Sequence, residues 1–280
     1  MAPQDSTGYH PAMPFSEASD KPLTYAGYLK IDELLRLQQP LSDDPEHDEM
    51  LFIIIHQVYE LWFKQIVHEM RKLQEELVAG DTTSVLSTLK RILTILKTLV
   101  AQIDVLETLT PMSFNAFRER LESASGFQSA QFREVEFLLG HKDPKILRHH
   151  PADSPGRKRL QELLVRPALQ DSLLRYLAGA GYEVPAELLE RDVSQSYSAS
   201  RQVQLALLEL YRRDPLRQMV CERLVDLDEG LQEWRYRHVK MVERTIGDKT
   251  GTGGSSGAAY LRSTLHHPFF PDLWAIRGEL

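Results

Sequence analysis

Long stretches of helical spacing constrain this chain more than any other feature of its sequence. From Met50 to Val78, and again up to about Leu106, apolar residues recur every three and four positions. A third long stretch runs from about Leu216 to Ile246, and few segments alternate as strands do. Apolar stripes of this length are buried most simply against one another. The sequence therefore predicts an all-α fold, a helical bundle of long helices.

Shorter helices are predicted around these three stretches. They are expected at residues 25–37, 111–121, 129–139, 157–178 and 199–212. The run LFIII at 51–55 is apolar on every side, so this part of its helix is expected to be buried. The first 20 residues are polar and rich in proline and serine, and they are expected to form a disordered tail. Residues 21–280 are predicted to form a single helical domain.

Composition narrows the range of partners and compartments. The net charge of −7 disfavours a nucleic-acid partner, which would call for a basic face. The single cysteine permits no disulfide within the chain, as is typical of a reducing compartment. No stretch reaches the roughly 18 apolar residues of a membrane span, and the N-terminus lacks the apolar core of a signal peptide. We expect a cytoplasmic protein with no membrane partner.

His238 lies on the apolar face of the last long helix. It shares this face with Trp234 and Met241, so its imidazole is expected to point into the interior. The residues alone allow two interpretations: a hydrogen-bonded core histidine, or an axial ligand to a haem iron in a dry pocket. Arg235 and Arg237 nearby are either solvated or paired with the propionates of such a haem.

Two further polar residues stand in apolar surroundings. His56 follows the LFIII run, so its imidazole needs either a core partner or a ligand to offset its desolvation. Arg118 lies close to the apolar side of a helix that carries Phe114 and Phe117. A guanidinium in that position suits a carboxylate, although an ordinary solvated arginine fits the same pattern.

The segment GTGGSSG at 251–257 is rich in glycine and hydroxyls. It matches neither phosphate-loop pattern, and a helix rather than a strand precedes it. We therefore interpret it as a flexible lid over a ligand.

Six segments together resemble one known family. They occur in that family's order: LTYAGYLKIDELL (23–35), HDEMLFIIIHQVYELWFKQ (47–65), VLETLTPMSFNAFR (105–118), SGFQSAQFREVEFLLG (125–140), WRYRHVKMVERTIG (234–247) and GTGGSSG (251–257). The chain is similar, over about residues 20–277, to the tryptophan 2,3-dioxygenases. This resemblance implies a homotetramer of helical subunits, each with a haem b pocket. It also implies cleavage of the indole C2–C3 bond of L-tryptophan by O₂ to give N-formyl-L-kynurenine, the first step of the kynurenine pathway.

The same resemblance assigns roles to individual residues. It implies that His238 is the proximal haem ligand and that His56 accepts a hydrogen bond from the substrate indole N–H. Arg118 would grip the substrate carboxylate, and Thr252 would meet its ammonium group. The remaining positions fall into three groups: Phe52 and Phe117 as pocket walls, Gly126 close to haem and substrate, and Tyr25, Tyr28 and Leu29 as residues that reach a neighbouring subunit.

One position departs from the family pattern. Phe114 stands where several bacterial relatives have tyrosine, so a hydroxyl contact to the substrate carboxylate is absent.

Two other classes of protein remain open on the sequence alone. A haem-based sensor would need the pocket without the amino-acid clamp, and a helical interaction protein would need no haem.

Overall fold

The computed structural model describes residues 22–42, 46–122, 124–247, 249, 258–263, 265 and 267–280, and for 258–260 the backbone alone. The chain divides into two compact units, one extending to Gln39 and the other from Pro40 to Leu280. Within the described residues there are helices and turns but no strand, which confirms the predicted all-α class.

The first unit contains two short helices, α1 (Tyr25–Leu29) and α2 (Ile31–Leu34). The prediction of a single helical segment over 25–37 is wrong because the backbone turns at Lys30. Lys30 adopts a left-handed conformation with φ 54°, and its N–H closes α1 on the carbonyl of Ala26. The apolar side chains of this unit remain largely exposed within the single chain.

The second unit is built on three long helices and several shorter ones. Its α-helices are α3 (His47–Ala79), α4 (Thr82–Leu106), α5 (Pro111–Arg118), α6 (Ala130–Leu138), α7 (Pro155–Leu164), α8 (Leu169–Gly179), α9 (Ala186–Leu189), α10 (Arg201–Arg213), α11 (Pro215–Ile246), α12 (Ala258–Ser263) and α13 (Pro271–Ala275). Short 3₁₀ turns occur at Glu119–Leu121, Gly126–Gln128, Pro144–His149 and Ile276–Glu279. The three long helices lie where the apolar spacing predicted them.

Helix α4 forms the centre of the bundle because it packs against both α3 and α11. Its apolar stripe, including Leu89, Ile92 and Leu99, is almost completely buried. Gly230 permits the close approach of α11, because a Cβ there would lie 2.7 Å from Cδ2 of Leu96. Helix α3 also packs against α6 and α8, so the core continues to its other side.

The predicted helix over 157–178 is in fact two helices. Pro167 interrupts the pattern, since the residue before a proline is disfavoured in the helical conformation. The buried ammonium of Lys142 donates to two carbonyls at this break, those of Leu164 (3.3 Å) and Arg166. It also donates to the carbonyl of Val193, between α9 and α10, at 2.8 Å. A single cation thus satisfies the backbone where α7 ends.

A buried carboxylate fastens the C-terminal segment to α11. Oδ2 of Asp228 accepts hydrogen bonds from the backbone N–H groups of Phe269 and Phe270 and from the indole N–H of Trp274. Its Oδ1 accepts from Gln232, one turn further along the helix. Two turns before Asp228, Cys221 is also fully buried, and burial raises its pKa to about 12.

Helix α3 is less covered than its sequence predicted. Ile55 is buried, but Ile54 is exposed and Leu51 to Ile53 are half-buried, so the LFIII run presents one face to the surface of the single chain. In the described part of the chain, α3 is also the one helix long and apolar enough to cross a membrane. That criterion is weak, because core helices of soluble proteins meet it as well.

Candidate active site

A cavity of about 280 Å³ lies in the second unit between α3, α5, α11 and the segment from Ser125 to Glu136. Its walls are mainly apolar and aromatic. They include Tyr59, Phe63, Leu109, Phe132, Trp234 and Val239. His56, Arg118 and His238 also line this cavity, so the fold brings together three of the polar residues selected from the sequence.

His238 enters the cavity from α11. Burial lowers its pKa to about 4, and the nearby imidazole of His56 adds to this effect. The ring is therefore neutral at physiological pH, which is the form that can bind a metal. The His238 side chain lines the cavity. The indole of Trp234 stacks on its imidazole, with ring centroids 5.4 Å apart.

His56 faces the same space from α3. Its Nδ1 lies 2.7 Å from the carbonyl oxygen of Phe52, so this nitrogen carries the proton and donates. Nε2 is then an unprotonated acceptor. Desolvation by the surrounding protein atoms lowers the pKa of His56, although part of this residue is exposed in the single chain, and the Phe52 carbonyl and Glu60 partly oppose that shift. The resulting side chain is a neutral imidazole that can accept an N–H donor.

Helix α5 places Arg118 at the edge of the cavity. The helix begins with Pro111, and the Thr110 side chain caps it by accepting from the N–H of Ser113. Arg118 is its last residue and is half-buried against the cavity. It also lines a second, more open cavity with Asn115, Glu119, Glu122 and Lys249.

Three phenylalanines support this part of the wall. Phe52 and Phe114 line the cavity, with ring centroids 5.8 Å apart. Phe117 is fully buried behind them, at 5.4 Å from Phe52 and 5.5 Å from Phe114. Phe117 thus supports the wall and is not part of the lining. Phe114 presents an unsubstituted ring to the cavity, as the sequence indicates.

Gly126 also lines the cavity, at the start of a 3₁₀ turn that Ser125 caps by accepting from the N–H of Phe127. Apart from its neighbours in the chain, no atom of the described residues lies within 4 Å of a Cβ added at Gly126. The backbone here therefore leaves space for a ligand to approach.

A group of buried charges forms another part of the wall. Glu136 accepts from Arg133 at 2.6 Å and from Arg235 at 2.8 Å, and all three residues are buried. Arg237, the other arginine considered from the sequence, instead pairs with Asp104 (2.6 Å) and Glu107 (3.3 Å). The buried group has two positive charges and one negative charge. Guanidinium groups of this kind are suited to binding carboxylates.

The residues present fit a haem group. Within the described part of the chain, buried Nε of Arg133 and Nε1 of Trp234 have no hydrogen-bond partner, and both residues line the cavity. No three histidine, cysteine or carboxylate groups cluster there to hold a bare metal ion. The neutral imidazole of His238 is the kind of axial ligand that a porphyrin iron takes, and porphyrin carboxylates suit the guanidinium groups.

Sequence reasoning missed Arg133 and Glu136. The available signal was a pair of charges three residues apart in QFREVEFLL, a segment otherwise apolar enough to be buried. Tyr25, Tyr28 and Leu29 are exposed on the first unit, which the structure describes by itself. Thr252 lies outside the described residues.

Comparison with known proteins gives the family of this chain. The family model described as tryptophan 2,3-dioxygenase matches residues 11–160 and 210–280. A tryptophan 2,3-dioxygenase of Herpetosiphon aurantiacus is 64% identical over 92% of this chain and 98% of its own length. Those of Anaeromyxobacter dehalogenans (61%, 92% and 96%) and Caulobacter vibrioides (44%, 92% and 98%) are also similar. These matches confirm the resemblance found from the sequence, and the chain belongs to the tryptophan 2,3-dioxygenase family.

Proposed function

We propose that this chain is an oxidoreductase that cleaves the C2–C3 bond of the indole of L-tryptophan with O₂, giving N-formyl-L-kynurenine. Both atoms of O₂ enter the product, so the reaction needs no external reductant. The observation that carries this proposal is the pair of neutral histidines, His56 on α3 and His238 on α11, facing one apolar cavity beside Arg118. Family membership supports the same reaction.

The proposed cofactor is haem b, one per subunit, with His238 as the protein's ligand to the iron. Arg133 and Arg235 would hold its carboxylates, and Gly126 would leave room beside it. When bound, haem supplies the activation of O₂, which no amino-acid side chain provides. The apolar walls exclude water from the reacting groups.

The polar side chains would orient the substrate. Arg118 suits the carboxylate because a guanidinium binds it through two parallel hydrogen bonds. We assign Thr252 to the ammonium group on the family pattern, and Phe52 to the indole as an apolar wall. Nε2 of His56, the acceptor left by the bond from Nδ1 to the Phe52 carbonyl, would take the hydrogen bond of the indole N–H. Holding the zwitterion and the ring together makes attack at C2–C3 effectively intramolecular.

His56 is proposed to position the indole and not to remove its proton. Indole N–H is a very weak acid, and burial makes the neutral imidazole a weaker base than usual. A substitution that removes the imidazole should therefore weaken binding or slow turnover and leave measurable activity.

We propose a cytoplasmic homotetramer in which the first unit reaches a neighbouring subunit. That unit exposes three large side chains, those of Tyr25, Tyr28 and Leu29. A segment this short cannot bury them by itself, so we infer that a neighbouring subunit covers them. On α3, Ile54 and Leu61 are also exposed, as expected of a helix that is covered on assembly. In this proposal the two tyrosines complete the wall of the neighbour's substrate pocket.

The experiment that tests this function is a comparison of His238→Ala with His68→Ala, an exposed histidine on α3 that lies outside the cavity. Each variant is purified with haem, reduced, and supplied with L-tryptophan and O₂. We expect His68→Ala to retain a histidine-ligated ferrous spectrum and to form N-formylkynurenine, and His238→Ala to lose both. Full haem content with an unchanged ferrous spectrum in His238→Ala would contradict the assignment. Haem binding without product in the unsubstituted protein would favour a sensor.

A further inference from the structure

The indole of Trp234 stacks on the His238 imidazole. The two residues lie one turn apart on α11 and both line the cavity. Their rings are nearly parallel, with an angle of 7° between planes and 5.4 Å between centroids. The two rings therefore pack face to face, so a rotation of the imidazole would disturb its packing against the indole.

Trp234 is held firmly by aromatic side chains from other helices. Its indole meets Phe63 edge-on at 5.9 Å and 90°, and it packs against Phe132 at 5.0 Å. The ring of Tyr59 packs beside it, with ring centroids 6.2 Å apart. The Tyr59 hydroxyl donates a hydrogen bond of 2.8 Å to the carbonyl of Leu99, which holds this ring in place. Because only 8% of Trp234 is exposed, its ring has little freedom to turn.

His238 has no comparable restraint of its own. A histidine that binds a metal is usually oriented by a hydrogen bond from its second ring nitrogen to a carbonyl or carboxylate. Within the described residues, no such bond holds the His238 ring, and its ring contact is the stack on Trp234. The orientation that a hydrogen bond normally fixes is fixed here by packing.

We propose that Trp234 is a positioning residue that sets the plane of the His238 imidazole, and through it the strength of the bond from that imidazole to the haem iron. This inference rests on the proposed role of His238 as the haem ligand. A ring held in one plane loses little freedom on binding, and its nitrogen lone pair keeps one direction towards the metal. Without the indole, the imidazole would sample several orientations.

The indole N–H provides a way to separate stacking from hydrogen bonding. Nε1 of Trp234 is buried and makes no hydrogen bond of ordinary geometry among the described residues, although the Tyr59 hydroxyl lies close enough to interact with it. Nε1 of Trp62 on α3 is also buried without a partner among the described residues. Trp62 packs against the same core but does not line the cavity. Trp62→Leu is therefore a matched control, since it removes an indole with a buried donor of the same kind and leaves His238 untouched.

The experiment measures the iron–histidine stretching band of the reduced holoenzyme by resonance Raman, together with the rate of haem transfer to apomyoglobin. Trp234→Leu should broaden the band, lower its frequency and weaken haem retention about 10-fold or more, as loss of a ligand-orienting neighbour does. Trp234→Phe keeps a flat ring without the N–H and should restore a narrow band. Trp62→Leu should match the unsubstituted protein. If the Trp234→Leu protein does not fold, Trp234→Met is measured in its place, because the flexible methionine side chain fills more of the vacated space than leucine does.

The outcomes distinguish this inference from the proposed function. If His238→Ala keeps the iron–histidine band, the ligand assignment itself is wrong. If His238→Ala loses the band but Trp234→Leu or Trp234→Met keeps its frequency and width, only the role of Trp234 is overturned. A Trp234→Phe protein as perturbed as the leucine variant would also overturn it, because a flat ring would then be insufficient.

Discussion

Replacing Asp228 by alanine tests how the C-terminal segment is held on α11. The carboxylate is fully buried, and its Oδ2 accepts from Phe269 N–H at 2.8 Å, Phe270 N–H at 3.1 Å and Trp274 Nε1 at 2.9 Å. Asp228→Ala leaves these three donors and the Gln232 amide without their acceptor, and of the four only the N–H groups of Phe269 and Phe270 belong to buried residues. Each buried donor left unsatisfied costs about 1–3 kcal/mol, so these two alone set a range of about 2–6 kcal/mol.

Water entering the vacated space would satisfy part of this demand, so we expect a loss of about 3–5 kcal/mol in the free energy of unfolding, as for other broken buried charge contacts. In a large domain each kcal/mol changes Tm by about 2–4 °C, so Tm should fall by about 6–20 °C. Thermal unfolding followed by circular dichroism measures it. Asp226→Ala is the control, because that carboxylate lies on the same helix, is partly exposed and pairs with Arg223. Equal Tm values for the two variants would refute the argument.

Three further predictions concern the cavity and the first unit. Arg118→Ala should lower kcat/KM for L-tryptophan about 10- to 150-fold, the effect of one lost charge-assisted contact. Tryptamine has no carboxylate, so its already low kcat/KM should not change in this variant. An equal decrease for tryptamine would show that another residue binds the carboxylate. L-tryptophan affinity should fall once the pH drops below the lowered pKa of His56, because protonated Nε2 no longer accepts, and 1-methyltryptophan should lack this acid dependence if titrated alongside. Deleting residues 1–20 should be tolerated, but deleting 1–36 should reduce both tetramer content and tryptophan affinity in light scattering and titration; normal tetramers with normal affinity would exclude the shared pocket.

The long helices and the direction of their apolar faces could be predicted from the sequence because helical spacing persists over many turns. The same persistence predicts that His56 and His238 share helical faces with apolar residues. Both side chains line the cavity, although His56 is exposed in the single chain. Pro167 marks the break between α7 and α8 in the sequence. Because the apolar spacing on both sides of it is helical, the segment was predicted as one helix. Lys30 could not be predicted, because a left-handed residue other than glycine depends on local contacts.

The group of buried charges in the cavity wall could not be predicted in the same way. Arg133 and Glu136 lie on the short helix α6 and Arg235 lies on α11, about 100 positions later. Charged residues are usually solvated, and only their meeting across two helices makes them a buried group. Similarly, the sequence places Phe117 on the correct face of α5, but only the packed structure shows that Phe52 and Phe114 stand between it and the cavity.

Burial of Cys221 makes the folded protein an unusually convenient subject for site-directed labelling. It is the chain's single thiol, and because burial keeps it protonated and inaccessible, maleimide reagents should leave the native protein unmodified. A cysteine introduced at an exposed position of the first unit, such as Tyr28, would then carry a fluorophore with no background substitution required. Quenching of that fluorophore by haem would report the distance between the first unit and the cavity in solution.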